Sequence, residues 1–207
     1  IINGIYTGKF SYTVTYYDSA EQENALTARL NEIMADLSLD GQPEYTKIRT
    51  IHDYICNLVS YDNEHKDDDA YLLKYTPYAA VFNGTAVCQG YALLFYRLCL
   101  EYGIDCRMIP GTGSNEAHAW NIVKIGSQYY NVDCTWDDAG SYDDIVTSYL
   151  LKSEADFRNH VRNSEFRTSA FNARYPMSTG SYSLPDKVYS YMVKLSDDLV
   201  NLHAGDQ

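Results

Sequence analysis

The sequence is short of positive charge: 16 Lys and Arg stand against 28 Asp and Glu, a formal net charge of −12. A phosphate backbone would meet an opposing field, and no basic stripe interrupts it, so no nucleic-acid partner is expected. Nothing approaches the run of roughly 20 apolar residues that a membrane-spanning helix requires, and no transmembrane segment is expected. There is no Cys-x-x-Cys pair of the kind that binds a metal, no internal repeat and no low-complexity linker. An initiating Met is missing too; the chain opens Ile1-Ile2-Asn3, which reads as a processed or trimmed product.

What is present is ordinary globular material, 45% hydrophobic and 21% charged over 207 residues. That length supports one well-packed core, read here as a single α+β domain over 1–207. It divides into an N-terminal strand and helix (about 1–42), a core (43–151), and a C-terminal helix with an irregular tail (152–207). The 21 tyrosines offer amphipathic contact surface, although most are expected in the core and strands. Five cysteines, at 56, 88, 99, 106 and 134, leave at least one thiol unpaired within a monomer. Cys99 and Cys106 could close a disulfide across a helix end in an oxidising compartment.

Tyr6 to Tyr17 reads as a strand, and Glu21 to Leu37 as an amphipathic helix with Leu26, Ile33 and Leu37 on its apolar side. Pro43 opens a second helix reaching about Val59. Tyr61 to Asp69 reads as a solvated acidic loop; Asp67-Asp68-Asp69 lacks the Gly and distant Glu of an EF-hand loop. Ala86 to Tyr102 is apolar nearly all round, the mark of a buried helix, and stops at Gly103. Arg107 to Pro110 reads as a short strand and Gly111 to Glu116 as a flexible loop. His118 to Ile125 and Gln128 to Thr135 are two strands around a Gly126-Ser127 turn. A further helix is expected from Ser153 to Val161, with an irregular tail from Arg162.

The chemistry gathers at Cys88. It stands at the start of the buried helix, with Thr85 as a plausible cap, where unpaired N–H groups and the helix dipole favour a thiolate. The same N–H groups can hold an oxyanion, and Gly90 keeps the approach uncrowded. The alternative is that Cys88 only packs, as expected of Cys99. The hairpin supplies partners. A two-residue turn pairs residues whose numbers sum to 253, which puts His118, Trp120, Asp133 and Thr135 on one face. His118 and Asp133 are then diagonal neighbours within side-chain reach. A three-residue turn would separate them.

Three stretches carry a family resemblance: Val81-Phe82-Asn83-Gly84-Thr85-Ala86-Val87-Cys88-Gln89-Gly90-Tyr91-Ala92, His118-Ala119-Trp120-Asn121-Ile122-Val123 and Tyr130-Asn131-Val132-Asp133-Cys134-Thr135-Trp136-Asp137-Asp138. In order and spacing they resemble the bacterial transglutaminase-like superfamily, over about Lys47 to Leu151. The resemblance implies a papain-like α+β core, with the Cys on a central helix packed against an antiparallel sheet that carries His and Asp. It also implies acyl transfer through a thioester, with Cys88 attacking, His118 moving the proton and Asp133 orienting His118. The Cys88 N–H is the first oxyanion candidate, with Tyr78 or Asn83 as a side-chain donor, while Trp120 and Trp136 wall the site. A peptide or protein substrate, including cell-wall peptide, and a bacterial envelope or extracellular location follow as expectations.

No cofactor or metal is expected. Cys88, His118 and Asp133 have zinc-ligand chemistry but no fourth ligand at a telling spacing. His52, His65, His160 and His203 read as structural or surface residues, and Asp137-Asp138 and Asp143-Asp144 as solvated turns. A non-catalytic peptide- or glycan-binding module and a structural spacer are the competing readings.

Overall fold

A computed structural model describes residues 8–9, 11–138 and 147–183. Two helices open it. Helix α1 (Ala20–Leu37) starts at a capping box in which Ser19 and Gln22 satisfy each other's backbone N–H groups, and it buries Leu26, Leu30 and Ile33. Helix α2 (Glu44–Leu58) follows Pro43 and buries Ile48, Ile51, His52, Ile55 and Cys56. Strand β1 (Ser60–Tyr61) pairs in parallel with β2 (Thr85–Ala86), which follows the short helix α3 (Pro77–Phe82).

Helix α4 (Cys88–Glu101) is the central one. Tyr91, Leu94, Phe95, Leu98 and Cys99 are all fully buried, as an all-apolar helix requires. Gly103, at φ 72, takes the left-handed conformation just past its end. Thr85 does not cap it: that residue belongs to β2, and the cap position is Val87, which makes no side-chain hydrogen bond.

The main sheet is antiparallel, in the order β5-β4-β3-β6. Strand β3 (Cys106–Gly113) turns through Ser114 and Asn115, both at positive φ, into β4 (Glu116–Ile125). The stretch expected as a flexible loop is therefore mostly strand, closed by a tight two-residue turn. Strand β5 (Gln128–Val132) pairs with β4 as Asn121↔Val132 through Ile125↔Gln128, the register expected from a two-residue turn. It stops earlier than expected: Asp133 caps the one-turn helix α5 (Cys134–Asp137), so Thr135 leaves the strand face.

One face of the sheet meets α4. Val123, Tyr130 and Val132 join the main core there, and the Asn121 amide donates to the Ala92 carbonyl at 3.0 Å. The opposite face carries a second cluster around Ile109, Trp120, Ile122, Tyr129, Phe157 and Tyr175. The fold is thus mixed α and β, with a buried helix on an antiparallel sheet.

Two expectations fail. Residues 11–17 form no strand: they pair with no other strand, and Tyr12 and Tyr16 stay in solvent. Residues 8–9 are not strand either, and the remainder of that expected strand lies outside the described residues. The helix expected over Ser153 to Val161 is a single turn, with the Phe157 N–H bonded to the Ser153 carbonyl, broken by Asn159 at φ 63. The chain then enters β6 (His160–Arg162), which adds to β3 as Gly113↔His160. The segment after Arg162 is also more regular than expected, with a 3-10 turn (Ser164–Arg167) and helix α6 (Ser169–Arg174).

Candidate active site

Cys88 is the first residue of α4, so its own N–H and that of Gln89 have no helical acceptor. Its side chain is partly exposed, whereas Cys56, Cys99, Cys106 and Cys134 are buried. The thiol and His118 line one cleft, near enough for the thiol to favour the charged imidazole. His118 Nε2 lies 2.7 Å from Asp133 Oδ2, which leaves Nδ1 uncommitted to that carboxylate. The three residues singled out from the sequence therefore share one site.

Each is fixed locally. Asp133 is the cap of α5: its Oδ1 accepts from the N–H groups of Thr135 (3.0 Å) and Trp136 (3.3 Å). That leaves Oδ2 facing the imidazole. Burial disfavours the Asp133 charge, but hydrogen bonds from His118 and His160 outweigh it and hold the carboxyl below its ordinary range. Burial likewise opposes the charge on His118, while Asp133 and Cys88 more than compensate, raising the imidazole to about 9. Behind the ring, Gly113 has no room for a side chain. A Cβ there would sit 2.9 Å from both His118 Cδ2 and Trp136 Cζ2.

Two clefts meet at this point. One, of about 410 Å³, is lined by Cys88, Gln89, Tyr61, Lys66, Pro110 and His118, among others. The other, of about 300 Å³, runs between Tyr61, Glu116, His118, Trp136 and Asp138. His118 and Tyr61 stand in both, so an extended ligand can pass over the thiol with parts on either side.

The wall residues divide. Trp136 lines the second cleft, its ring 5.3 Å from that of His118. Trp120 is fully buried beneath the site, its Nε1–H donating to Asn131 Oδ1 at 3.3 Å. Neither upstream oxyanion candidate lines these clefts. Tyr78 stacks on Phe82 at 4.5 Å against the core, and the Asn83 amide donates to the Tyr71 hydroxyl at 3.2 Å. Both side chains are committed elsewhere by α3, whose direction the sequence pattern does not reveal. Gly90 does not face the cleft either; a Cβ there would strike Ala86 at 2.6 Å, so its smallness serves packing.

The other histidines are not surface residues as a group. His52 is fully buried, bound through Nδ1 to Asp53 (2.8 Å) and through Nε2 to Asp137 (3.1 Å). Burial opposes its charge, but the two carboxylates push it well above the ordinary imidazole value. Asp137 is thus sealed in rather than solvated, and Asp138 accepts from the Tyr91 hydroxyl at 2.7 Å. His65 is partly exposed and pairs with Asp62. His160 belongs to the site: its Nε2 is 3.0 Å from Asp133 Oδ2. His203 and Asp143-Asp144 lie outside the described residues. The acidic loop is solvated as expected, with Asp67, Asp68 and Asp69 exposed, and its backbone is pinned by the buried Lys74 ammonium, which donates to the carbonyls of His65, Lys66 and Asp68. Cys99, in the last turn of α4, and Cys106, at the start of β3, are both buried free thiols, not joined in a disulfide.

Polar ring and carboxylate atoms of His118, Asp133 and His160 lie close together, yet all are engaged at lengths typical of shared protons. Cys88 is not part of that group, so the zinc reading built on Cys88 finds no support in the geometry.

A model of the transglutaminase-like superfamily matches residues 31–134, half of the chain. The chain belongs to that superfamily. Kyphoscoliosis peptidase of Mus musculus is 29% identical over 159 residues, covering 69% of this chain and 23% of its own length. The Homo sapiens protein of the same name is 30% identical over 147 residues, covering 63% and 22%. The chain thus spans less than a quarter of these relatives' length. Among solved structures, a crystal structure of a TGase superposes with a TM-score of 0.52 at 19% identity, over 60% of this chain and 35% of that one. That likeness agrees with the transglutaminase-like fold.

Proposed function

We propose that this transglutaminase-like chain is a cysteine-dependent acyl-transfer enzyme acting on peptide amides, and that its main reaction is hydrolysis. The carrying observation is a partly exposed sulfur at a helix start, sharing a cleft with an imidazole bound at 2.7 Å to a buried carboxylate. In this reading the Cys88 thiol gives its proton to His118 and the sulfur attacks the amide carbonyl. The oxyanion sits at the Cys88 and Gln89 N–H groups. As the carbon–nitrogen bond breaks, His118 protonates the departing amine and a thioester remains on Cys88. Water, deprotonated by His118, then releases the acid and restores the thiol. An amine in place of water would give cross-linking. Hydrolysis is preferred because water is always present and because the relatives matched above bear the name peptidase.

The two joined clefts suit an extended peptide rather than a small amide, so a protein or peptide is the proposed substrate. The test is to incubate the protein with a peptide library, quench in acid and weigh the intact protein. An acyl adduct on Cys88, absent in Cys88→Ala, is expected. Product formation that survives Cys88→Ala would refute the reading.

Exposed Tyr12 and Tyr16 favour a second reading, a non-catalytic module that grips peptide or glycan. It requires saturable binding unaffected by Cys88→Ala, with no product from the wild type.

A further inference from the structure

We propose that His160 is a positioning residue that shares the Asp133 carboxylate with His118 and so governs how firmly that carboxylate holds the His118 proton. The inference rests on the site described above and names a fourth member of it.

The placement is specific. The Asp133 oxygen that accepts from His118 Nε2 at 2.7 Å also lies 3.0 Å from His160 Nε2. On the other side of the ring, His160 Nδ1 lies 2.9 Å from the Arg158 carbonyl. A carbonyl and an ionised carboxylate can only accept, so each ring nitrogen of His160 is placed to donate. Its side chain is fully buried. Aromatic rings enclose it, with centroids at 3.9 Å for Phe157, 4.2 Å for Trp136 and 5.0 Å for Trp120, and they hold the ring in place. The backbone is pinned too: His160 pairs with Gly113, and the Ser114 N–H binds the carbonyl of Asn159.

The groups facing the ring are few. Asp133 comes from the end of β5, His118 (5.3 Å between rings) from β4, and Tyr149 (5.5 Å) from the segment before β6. His160 has two effects on Asp133. It fixes the carboxylate against rotation, and its contact draws on the same oxygen that holds the proton on His118. Replacing it by a neutral side chain leaves the whole carboxylate to His118.

The experiment is a pH titration of the His118 ring by carbon–proton NMR in the wild type, His160→Gln and His160→Phe. Gln keeps a neutral donor and Phe keeps a ring without one, so one folded variant suffices. The His118 midpoint should rise in both variants by roughly half a unit or more. A second arm follows hydrolysis of a trapped-substrate peptide: His160→Phe should lose about tenfold in kcat with KM little changed, and His160→Gln less. An unmoved His118 midpoint in folded variants overturns the inference. The titration needs no turnover, so it decides the role of His160 even if the proposed function fails. That failure would show instead as wild-type protein forming no Cys88 adduct.

Discussion

Two Cys-His-Asp groupings stand out among the described residues, and they differ in access and in helix position. In the first, Cys88 shares a cleft with His118, which is bound to Asp133. In the second, Cys56 Sγ lies 3.7 Å from His52 Nε2, which is bound to Asp137. Residue types are alike, and the Cys56 thiol is acidified to about 7, chiefly by its contact with Cys134 and against the effect of burial. Yet Cys56 sits in the last turn of α2, 5% exposed, where the first-turn N–H groups of a helix are out of reach. Cys88 opens its helix and faces a cleft. An acidic thiol with an imidazole beside it is therefore not enough; access and a place for the oxyanion separate a reactive cysteine from a structural one.

Substitutions can break this contrast. The largest expected effect is on Cys88→Ala, which should lower amide hydrolysis by about 10⁴-fold or more while leaving the thermal midpoint near wild type. Cys56→Ala should keep activity within a few-fold. Comparable losses in both, measured side by side with one peptide, would erase the distinction. Next comes His52→Ala, which strands the buried Asp137. A destabilisation of about 3–5 kcal/mol is expected by urea unfolding. A cost below about 1 kcal/mol would mean that the pair is not buried as described.

Gly113→Ala comes third. The added methyl must move His118 or Trp136, and a displacement near 1 Å is expected to cost about 10²-fold in kcat. Unchanged kcat would show that the ring has slack. The smallest effect is on the pH dependence of stability. The His118 value is raised from 6.5 to about 9, so its contribution is complete below pH 6.5 and disappears as pH rises through 9. Urea midpoints of the wild type should fall across that window, and those of His118→Ala should fall less. Parallel curves would contradict the raised value.

How much of this was legible in the sequence follows from the range of each contact. The β4–β5 register was, because Gly126-Ser127 fixes a local turn and side-chain alternation does the rest, putting Asp133 within reach of His118. Cys88 was, because an all-apolar segment must be buried and its start must lie where polar residues give way. His160 was not. It arrives through β6 pairing with the edge of β3, a long-range contact that no local pattern announces. Worse, Ser153-Glu154-Ala155-Asp156 imitates a helix start: the Ser153 hydroxyl does accept from the Asp156 N–H at 3.3 Å, but the turn ends at once. The fate of His52 was hidden likewise, since Asp137 lies 85 residues away. Tyr78 and Asn83 failed as site residues for a related reason; their distance from Cys88 along the chain said nothing of which way α3 would point them.

We propose that, of the five thiols, only the partly exposed Cys88 reacts readily in the native protein. This is tested most directly by brief labelling of the native protein with iodoacetamide at neutral pH, then unfolding, a second isotopic label and peptide mass analysis. The account predicts the first label on Cys88, faster than on a free model thiol, and the second on Cys56, Cys99, Cys106 and Cys134. First-label incorporation at Cys56, or a Cys88 rate no greater than that of the model thiol, would contradict it.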